Sequence, residues 1–470
     1  MKRKSVWTSY NKKQITLCQE FNEKYKEFLN QGKTERECIA YSVAKAKEAG
    51  FKDLREIVKE KKKLKPGDKV YAVQMNKTMV LFQIGEKDLE EGMAILGAHV
   101  DSPRMDVKQN PVYEAGGLAY FDTHYYGGIK KYQWVTLPLA IHGVFVKKDG
   151  TVVKVELGEK EDDPVFCVTD LLIHLSGERM QKKANVVVEG ENLDLLVGNI
   201  PDSKKGDQDK EDPKDTIKAN VLRILKETYQ VEEEDFLSAE LEIVPAGKAR
   251  DLGVDRSMVI AYGHDDKVCA YTSLMAMLDV ASKKIPAYTT CCLLVDKEEI
   301  GSVGATGMQS RFFENMVAEL IQSTGKKSVD LSLRRCLANS RMLSSDVSAG
   351  YDPLYQDVFD QANAAFLGKG MVFNKYTGAR GKSGSNDANA EYVAKIRNIL
   401  DEDKVVYQTA ELGKVDAGGG GTIAYITALY GMEVIDCGVA VLNMHAPWEI
   451  VSKADVYETY RGYLTFLEKI

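Results

Sequence analysis

The sequence predicts an α/β protein that carries an inserted β-rich domain. Apolar, β-leaning runs at residues 94–100 and 289–295 have the length of buried strands, and each leads into acidic or histidine side chains. Helix-like segments, such as residues 270–282, accompany them. Between residues 102 and 257 apolar and polar residues alternate instead, as in strands with one exposed face. We therefore expect two kinds of architecture in one chain.

The length supports the same division. A chain of 470 residues is too long for one ordinary hydrophobic core, so we expect two domains. Residues 1–101 and 258–470 would form the first domain, and residues 102–257 the β-rich insertion.

Composition and charge exclude several functional classes. A hydrophobic fraction of 44% and a charged fraction of 28% are typical of a soluble globular protein. The net charge of -7 argues against broad nucleic-acid binding, which requires a basic surface. We see no signal peptide and no membrane span.

The cysteines indicate a reducing compartment. None of the eight forms a Cys-x-x-Cys pair, and several lie in apolar runs, where a thiol behaves as a small hydrophobic group. The simplest expectation is a cytoplasmic protein without disulfides.

The first elements are two helices and a hairpin. Residues 13–50 have helical periodicity, and Thr34 with Glu37 forms a capping box that begins the second helix. Residues 70–75 and 78–84 read as two strands joined by a tight turn.

The next predicted strand begins at Ala94 and ends in His99 and Asp101. A histidine at a strand end, with a carboxylate two residues on, suits a metal ligand and its orienting group. A core histidine followed by a capping aspartate is the alternative, and the two residues alone do not decide between them.

The insertion contains three notable segments. Residues 134–157 alternate around a turn signal and predict a β-hairpin. Residues 171–175 form an apolar run that contains His174, which without further information reads as a core histidine. Residues 201–218 mix both charge signs with almost no apolar side chains, so we expect a solvated or disordered loop.

Acidic residues follow further apolar segments in the second half of the chain. Glu298 and Glu299 come just after the strand at residues 289–295. Because consecutive side chains point in different directions, one of them can hold a metal while the other faces a water molecule. A solvated acidic turn is the alternative. Asp265 precedes a helix, where it can simply be a cap, and Asp346 follows a short apolar stretch.

Two later segments complete the pattern. The glycine run at residues 418–421 lacks a Walker lysine, which favours close backbone approach to a substrate over a phosphate cradle. His445 follows another apolar run, and Ser452 with Asp455 predicts the cap of a final helix.

These histidines and acids suggest a metal centre. Five or six such groups converging at one sheet edge would repel strongly without cations, so a pair of divalent ions is the physical solution. Imidazole and carboxylate donors without thiolate fit a catalytic zinc, cobalt or manganese pair better than a structural zinc site. The spacing by itself does not establish this, because the residues are scattered along the chain.

Five motifs occur in order along the chain: His99-Val100-Asp101-Ser102-Pro103, Asp265-Asp266-Lys267, Asp296-Lys297-Glu298-Glu299-Ile300-Gly301-Ser302, Ser345-Asp346 and Met444-His445. Together they resemble those of the aspartyl aminopeptidase family of dinuclear zinc exopeptidases. The resemblance covers nearly the whole chain, and it implies a zinc-peptidase-like fold in which helices sandwich a central mixed sheet, with an inserted β-rich dimerisation domain.

The resemblance implies a metal ligand set. Asp265 would bridge two divalent ions, most simply zinc, with cobalt or manganese as alternatives. His99 and Asp346 would complete one site, and Glu299 and His445 the other.

The resemblance also implies catalytic roles and an assembly. Glu298 would be the general base, Asp101 would orient His99, and His174 would reach the active site of a partner subunit. The substrates would be peptides, and family members are typically tetrahedral dodecamers built from dimers.

One departure from the family leaves the substrate preference open. Asn374 stands where acid-preferring members carry a lysine, although Lys375 and Lys382 are close in sequence. The residue released could therefore be acidic, neutral or more varied. A deacylase or dipeptidase with the same metal chemistry is the rival enzyme, and a catalytically silent assembly protein is the rival from another class.

Overall fold

The computed structural model describes residues 4–202 and 215–470, and the chain divides into two compact units. The first unit consists of Met1–Ser102, Ala249–Met444 and Glu449–Ile470. The second consists of Pro103–Lys248 and His445–Trp448.

A nine-stranded mixed sheet is the framework of the first unit. Its four central strands are parallel, so their carboxyl ends meet at one edge. In spatial order the strands are Lys52–Asp53, Lys69–Gln74, Thr78–Gln83, Thr289–Val295, Met93–His99, Arg341–Ser345, Glu433–Gly438, Met371–Asn374 and Tyr407–Thr409. The predicted α/β class is confirmed.

Two apolar clusters cover the two faces of this sheet. Alternate side chains of each central strand enter different clusters: Ile95 belongs to one and Leu96 to the other. The helices of this unit are Val6–Ser9, Lys12–Gln31, Glu35–Glu48, Leu54–Lys59, His264–Lys283, Phe312–Ser323, Val329–Asn339, Ala390–Glu402, Ala424–Ala428 and Lys453–Lys469. The capping box of Thr34 and Glu37 forms as predicted.

A five-stranded sheet completes the first unit. Its strands, in spatial order, are Arg250–Leu252, Met258–Ala261, Glu449–Ser452, Ala440–Leu442 and Ser348–Ala349. The last helix begins after Ser452, as predicted, but the Ser452 side chain makes no capping hydrogen bond. The Asp455 carboxylate instead accepts hydrogen bonds from the backbone N–H groups of Gly368 and Gly370.

The second unit is built on a seven-stranded antiparallel sheet. Its strands, in spatial order, are Val152–Leu157, Leu139–Val146, Ala239–Pro245, Arg104–Ala115, Leu118–Tyr126, Leu195–Gly198 and Cys167–Val168. The first two form the predicted hairpin. Residues 203–214 of the predicted charged loop lie outside the described residues. The end of that prediction is wrong, because Thr216–Tyr229 is a helix.

Short 3-10 helices connect these elements. They are Leu89–Glu91, Lys131–Gln133, Ile173–Leu175, Arg179–Gln181, Gly190–Asn192, Glu233–Ser238, Glu298–Ile300 and Pro353–Val358. Over the part of the chain that the structure describes, no helix is long and apolar enough to cross a membrane.

Candidate metal centre

The central parallel strands deliver polar side chains to one edge of the nine-stranded sheet. His99 is the last residue of its strand, and Asp346 directly follows the neighbouring strand Arg341–Ser345. The strand Thr289–Val295 leads into the short 3-10 helix that carries Glu298 and Glu299. Their common edge explains how residues far apart in sequence come together.

Asp265 joins them from the start of the helix His264–Lys283. The dihedral angles of Asp265 and Asp266 are not helical, and the peptide bond between them is cis. Both side chains are buried.

The donor atoms of these residues lie close enough to hold metal ions. The Nε2 atom of His99 is 3.2 Å from Asp265 Oδ1, 3.8 Å from Asp346 Oδ1 and 4.0 Å from Glu298 Oε2. Within residues 4–202 and 215–470, three groups have donor atoms within 4.8 Å of one another: His99, Asp265 and Glu299; His99, Glu298 and Asp346; and Asp265, Asp266 and Asp346.

Asp101 organises two parts of the cluster at once. Its Oδ1 atom is 3.3 Å from His99 Nδ1, while its two oxygens accept hydrogen bonds of 3.2 Å from the N–H groups of Glu298 and Glu299. The Nδ1 atom is also 3.1 Å from the Asp101 carbonyl oxygen. These acceptors favour the tautomer in which Nδ1 carries hydrogen and Nε2 faces the carboxylates, as in a metal-binding histidine.

Burial and mutual repulsion disfavour negative charge on the clustered carboxylates. Burial raises the pKa of Glu298 to about 8; His99 opposes this rise, while Asp346 and Asp265 add to it. Burial also raises the pKa values of Asp266 and Asp346. Burial lowers the pKa of His99, but the neighbouring carboxylates outweigh it and hold that pKa well above its ordinary value. Positive charge is thus favoured throughout the cluster.

The backbone of Asp265 is held from two sides. Ser102 Oγ donates to the Asp265 carbonyl oxygen at 2.6 Å, and the Asp265 N–H donates to Glu449 at 2.9 Å. Lys267, which is buried, donates to Ser102 Oγ at 2.7 Å. Such bonds fix a ligand's backbone before any metal binds.

The sequence patterns assign no role to Asp266, Lys267 or Glu449. Asp266 and Lys267 are in the motif next to Asp265, so adjacency was an available signal. Glu449 is placed by the pairing of Glu449–Ser452 with Met258–Ala261, which brings Glu449 opposite Ala261. No local pattern reveals that long-range register.

The donor chemistry fits a catalytic zinc centre. In the described part of the chain, the three groups contain one histidine, five carboxylates and no cysteine. All eight cysteines are free thiols, and seven are buried. An imidazole–carboxylate set is the kind used by catalytic zinc, whereas structural zinc sites favour thiolates.

The two remaining predicted site residues lie in the second unit, and none of the three groups includes them. His445 has a φ of +64°, uncommon for a residue with a side chain, and its Nδ1 is 2.8 Å from the Gly128 carbonyl oxygen. His174 lies in the 3-10 helix Ile173–Leu175 and is exposed.

The glycine run packs tightly against neighbouring backbone. A side chain at Gly418 would place its Cβ 1.9 Å from the Leu412 carbonyl oxygen, and one at Gly419 would place it 2.4 Å from Ala379 Cα. Glycine at these two positions is therefore required by the packing of the loop itself.

The whole chain is similar to known aminopeptidases. The family described as aminopeptidase I zinc metalloprotease (M18) matches residues 28–467. A probable M18 family aminopeptidase 1 of Clostridium acetobutylicum is 58% identical over 464 residues, which cover 99% of this chain and 98% of the relative.

Solved structures agree with the sequence comparison. The crystal structure of the M18 aminopeptidase from Thermotoga maritima superposes with a TM-score of 0.93 at 44% identity and covers 100% of both chains. The mApe1 dodecamer of S. cerevisiae gives a TM-score of 0.76 at 20% identity, covering 96% of each chain, and so supports the fold alone. The resemblance inferred from the five motifs is confirmed. The chain belongs to the M18 family of zinc metalloproteases and is a metal-dependent aminopeptidase.

Proposed function

We propose that this aminopeptidase uses a pair of divalent cations, most simply zinc, to release the first residue of unblocked peptides. The observation that carries the proposal is the cluster of one imidazole and five carboxylates at the sheet edge. Asp265, His99 and Asp346 would hold the first ion, and Asp265, Glu299 and His445 would hold the second.

The distances and charges support these assignments. Asp265 and His99 belong to the same group as Glu299, and His99 also groups with Asp346. So many carboxylates around one imidazole carry more negative charge than a single divalent ion offsets, which favours two. For His445, the Gly128 carbonyl next to Nδ1 favours the tautomer whose Nε2 can bind a metal.

Glu298 is the general base in this proposal. Divalent ions, when bound, lower the pKa of a water molecule and polarise the peptide carbonyl. Glu298 accepts the proton of the attacking water and delivers it to the departing amine. The Glu298 N–H donates to Asp101, and Glu298 Oε2 lies 4.0 Å from His99 Nε2 at the edge of the cluster.

A paired assay tests this function. Purified enzyme is loaded with zinc, cobalt or manganese, its metal content is measured, and release of amino acids is followed from peptides with free and with acetylated N-termini. We expect two ions per chain and activity on the free peptides only. Activity on acetylated substrates would indicate the rival deacylase, and activity without any divalent ion would contradict the metal mechanism.

We further propose that the insertion, residues 102–257, is a dimerisation domain of a homo-oligomer, with a tetrahedral dodecamer as the expected assembly. Its segment around His174 exposes an apolar surface: 53% of Leu172 and 69% each of Ile173 and Leu175. Apolar exposure of this kind marks interfaces. The structural relative from S. cerevisiae is described as a dodecamer.

In this assembly His174 acts on the active site of a partner subunit. An exposed imidazole within an apolar segment can donate to a developing oxyanion while the segment excludes water. Free thiols throughout support a reducing, cytoplasmic location. Native mass measurement of the purified enzyme tests the assembly, and a stable monomer would contradict it.

A further inference from the structure

Two separate segments of the first unit carry donor atoms of the metal centre. One follows the strand Met93–His99 and continues to Ser102, and the other is the turn at Asp265, where the helix His264–Lys283 begins. His99 Nε2 and Asp265 Oδ1, one atom from each segment, are 3.2 Å apart. This distance is maintained only if the two backbones stay in place relative to each other.

Lys267 connects the two segments through a hydrogen-bond chain whose direction is fixed. The Asp265 carbonyl oxygen can only accept, so Ser102 Oγ donates the proton of the 2.6 Å bond between them. The hydroxyl has no second proton, and a lysine has no acceptor, so Lys267 Nζ donates the 2.7 Å bond to Ser102 Oγ. The chain therefore runs from Lys267 through Ser102 to Asp265, and each bond polarises and strengthens the next.

The burial of Lys267 is unusual for a lysine. Its side chain is 1% exposed, and Nζ lies 4.7 Å from the centre of the Tyr262 ring, but the described residues provide no carboxylate that forms an ion pair with it. Lys453, which is equally buried, pairs with Asp251 at 2.9 Å. Because an unpaired buried lysine is costly, its presence here indicates a role other than stability.

Gly263 provides the space that this chain occupies. Its φ of +74° lies in the region that favours glycine. A Cβ atom at this position would be 2.3 Å from Lys267 Nζ and 2.8 Å from Ser102 Oγ. The backbone before Asp265 is therefore shaped to admit both bonded atoms.

We propose that Lys267 is a positioning residue of the metal centre: through Ser102 it holds the Asp265 turn against the segment of His99 and so raises the affinity for divalent ions. Loss of a group that orients a ligand in this way typically weakens metal binding by about 10- to 100-fold. The inference rests on the proposed ligand roles of His99 and Asp265, and it adds a residue that acts through another side chain.

Competition with a chelator for zinc measures this affinity in the full-length enzyme. Lys267→Met keeps an unbranched apolar side chain but removes the donor, and we expect its zinc dissociation constant to rise by about 10- to 100-fold. The absorption spectrum of the cobalt-loaded variant should change as well, because it reports the arrangement of the ligands independently of activity. A lysine that only stabilised the fold would lower the melting temperature without changing either measurement.

Lys453→Met is the matched control. Lys453 is as buried as Lys267, and its partner Asp251 keeps a second lysine, Lys26, at 2.6 Å when Lys453 is replaced. Neither Lys453 nor Asp251 touches the chain described here, and Asp251 is in none of the three donor groups found among the described residues. The control should keep the wild-type zinc affinity and cobalt spectrum even if it lowers the melting temperature.

A double-mutant cycle tests whether Lys267 acts through Ser102. Ser102→Ala alone should weaken zinc binding, and adding Lys267→Met to it should have little further effect, because the chain is already broken. Gly263→Ala, which displaces Lys267 Nζ without removing a polar group, should also weaken zinc binding. These two single variants guard against misfolding of Lys267→Met.

Two results would overturn the positioning role. One is wild-type zinc affinity in Lys267→Met or, should that variant not fold, in Ser102→Ala. The other is a double variant whose loss of affinity is the full product of the two single losses. A wild-type enzyme that binds no divalent ion would refute the proposed function together with this inference.

Discussion

The metal centre and the segment around His174 deviate from ordinary protein surfaces in opposite ways. At the centre, charged groups are buried: His99, Asp265 and Asp266 are each at most 4% exposed. Around His174, apolar groups are exposed, and Ile173 and Leu175 are each 69% accessible. Buried charge and exposed apolar surface are the two departures that carry information, because neither stabilises an isolated chain.

The comparison indicates what each region requires. In the proposed function, cations would neutralise the buried carboxylates of the centre, and another protein surface would cover the apolar segment. Changes at the centre should therefore act through metal content and chemistry. Changes in the segment should act through assembly. Variants of the centre should therefore alter metal content and activity, and variants of the segment should alter the oligomeric state.

The largest expected effect is the removal of the bridging ligand. Asp265→Ala should abolish activity and lower the bound metal, because this carboxylate faces both ions in the proposed centre. Metal analysis after gel filtration, together with peptide hydrolysis, measures both effects. Asp255→Ala, at an exposed loop carboxylate, is the control. A variant at position 265 with full metal content would contradict the bridging role.

Variants of the two adjacent glutamates should have the next largest effects, one on turnover and the other on metal binding. Glu298→Gln should keep the metals bound, but an amide cannot accept the proton of water. We therefore expect kcat to fall by roughly 10²- to 10⁴-fold, the typical loss for a general base. Glu299→Ala should instead lose metal. Parallel kinetics and metal analysis distinguish the two. Near-normal turnover in Glu298→Gln would refute its assignment.

Much of the candidate metal centre is visible in the sequence because its residues follow strongly apolar strands. His99 ends a strand of seven buried residues, and the strand before Glu298 is buried throughout. Such runs are recognisable locally, and parallel topology brings their ends together. The groupings of His99 with Asp265, Glu298, Glu299 and Asp346 now provide geometric support for that prediction.

Other features depend on contacts that no local pattern contains. Ser452 and Asp455 have the spacing of a capping box, yet Asp455 binds the backbone of Gly368 and Gly370, which are distant in sequence. Ser344 lies opposite Asp436 only because two strands that are far apart in sequence pair in parallel. His174 reads as a core residue in its apolar run, whereas the structure exposes the entire run.

The second region is tested by complementation. His174→Ala and Glu298→Gln chains should each form poorly active homo-oligomers. In a mixed dimer, one active site combines wild-type Glu298 with wild-type His174 from its partner. Mixing under conditions of verified subunit exchange should therefore restore part of the activity, measured as peptide hydrolysis. Exchange without any recovery would refute the action in trans.

The smallest effect on chemistry should come from the apolar segment itself. Replacing Ile173 and Leu175 together by serine removes exposed apolar surface without touching a proposed ligand. Burial of such side chains contributes about 1.5–3 kcal/mol each to an interface, so the assembly should dissociate at higher protein concentration than the wild type.

Sedimentation across a dilution series measures this shift, and metal content should stay unchanged. Leu354→Ser is the matched control, because Leu354 is 83% exposed but lies in the first unit. If the double variant dissociated no more readily than this control, the apolar segment would not be part of the interface. If the double variant lost metal while remaining assembled, the idea that the two regions act independently would be wrong. Dissociation with metal retained is the outcome that the exposed segment predicts.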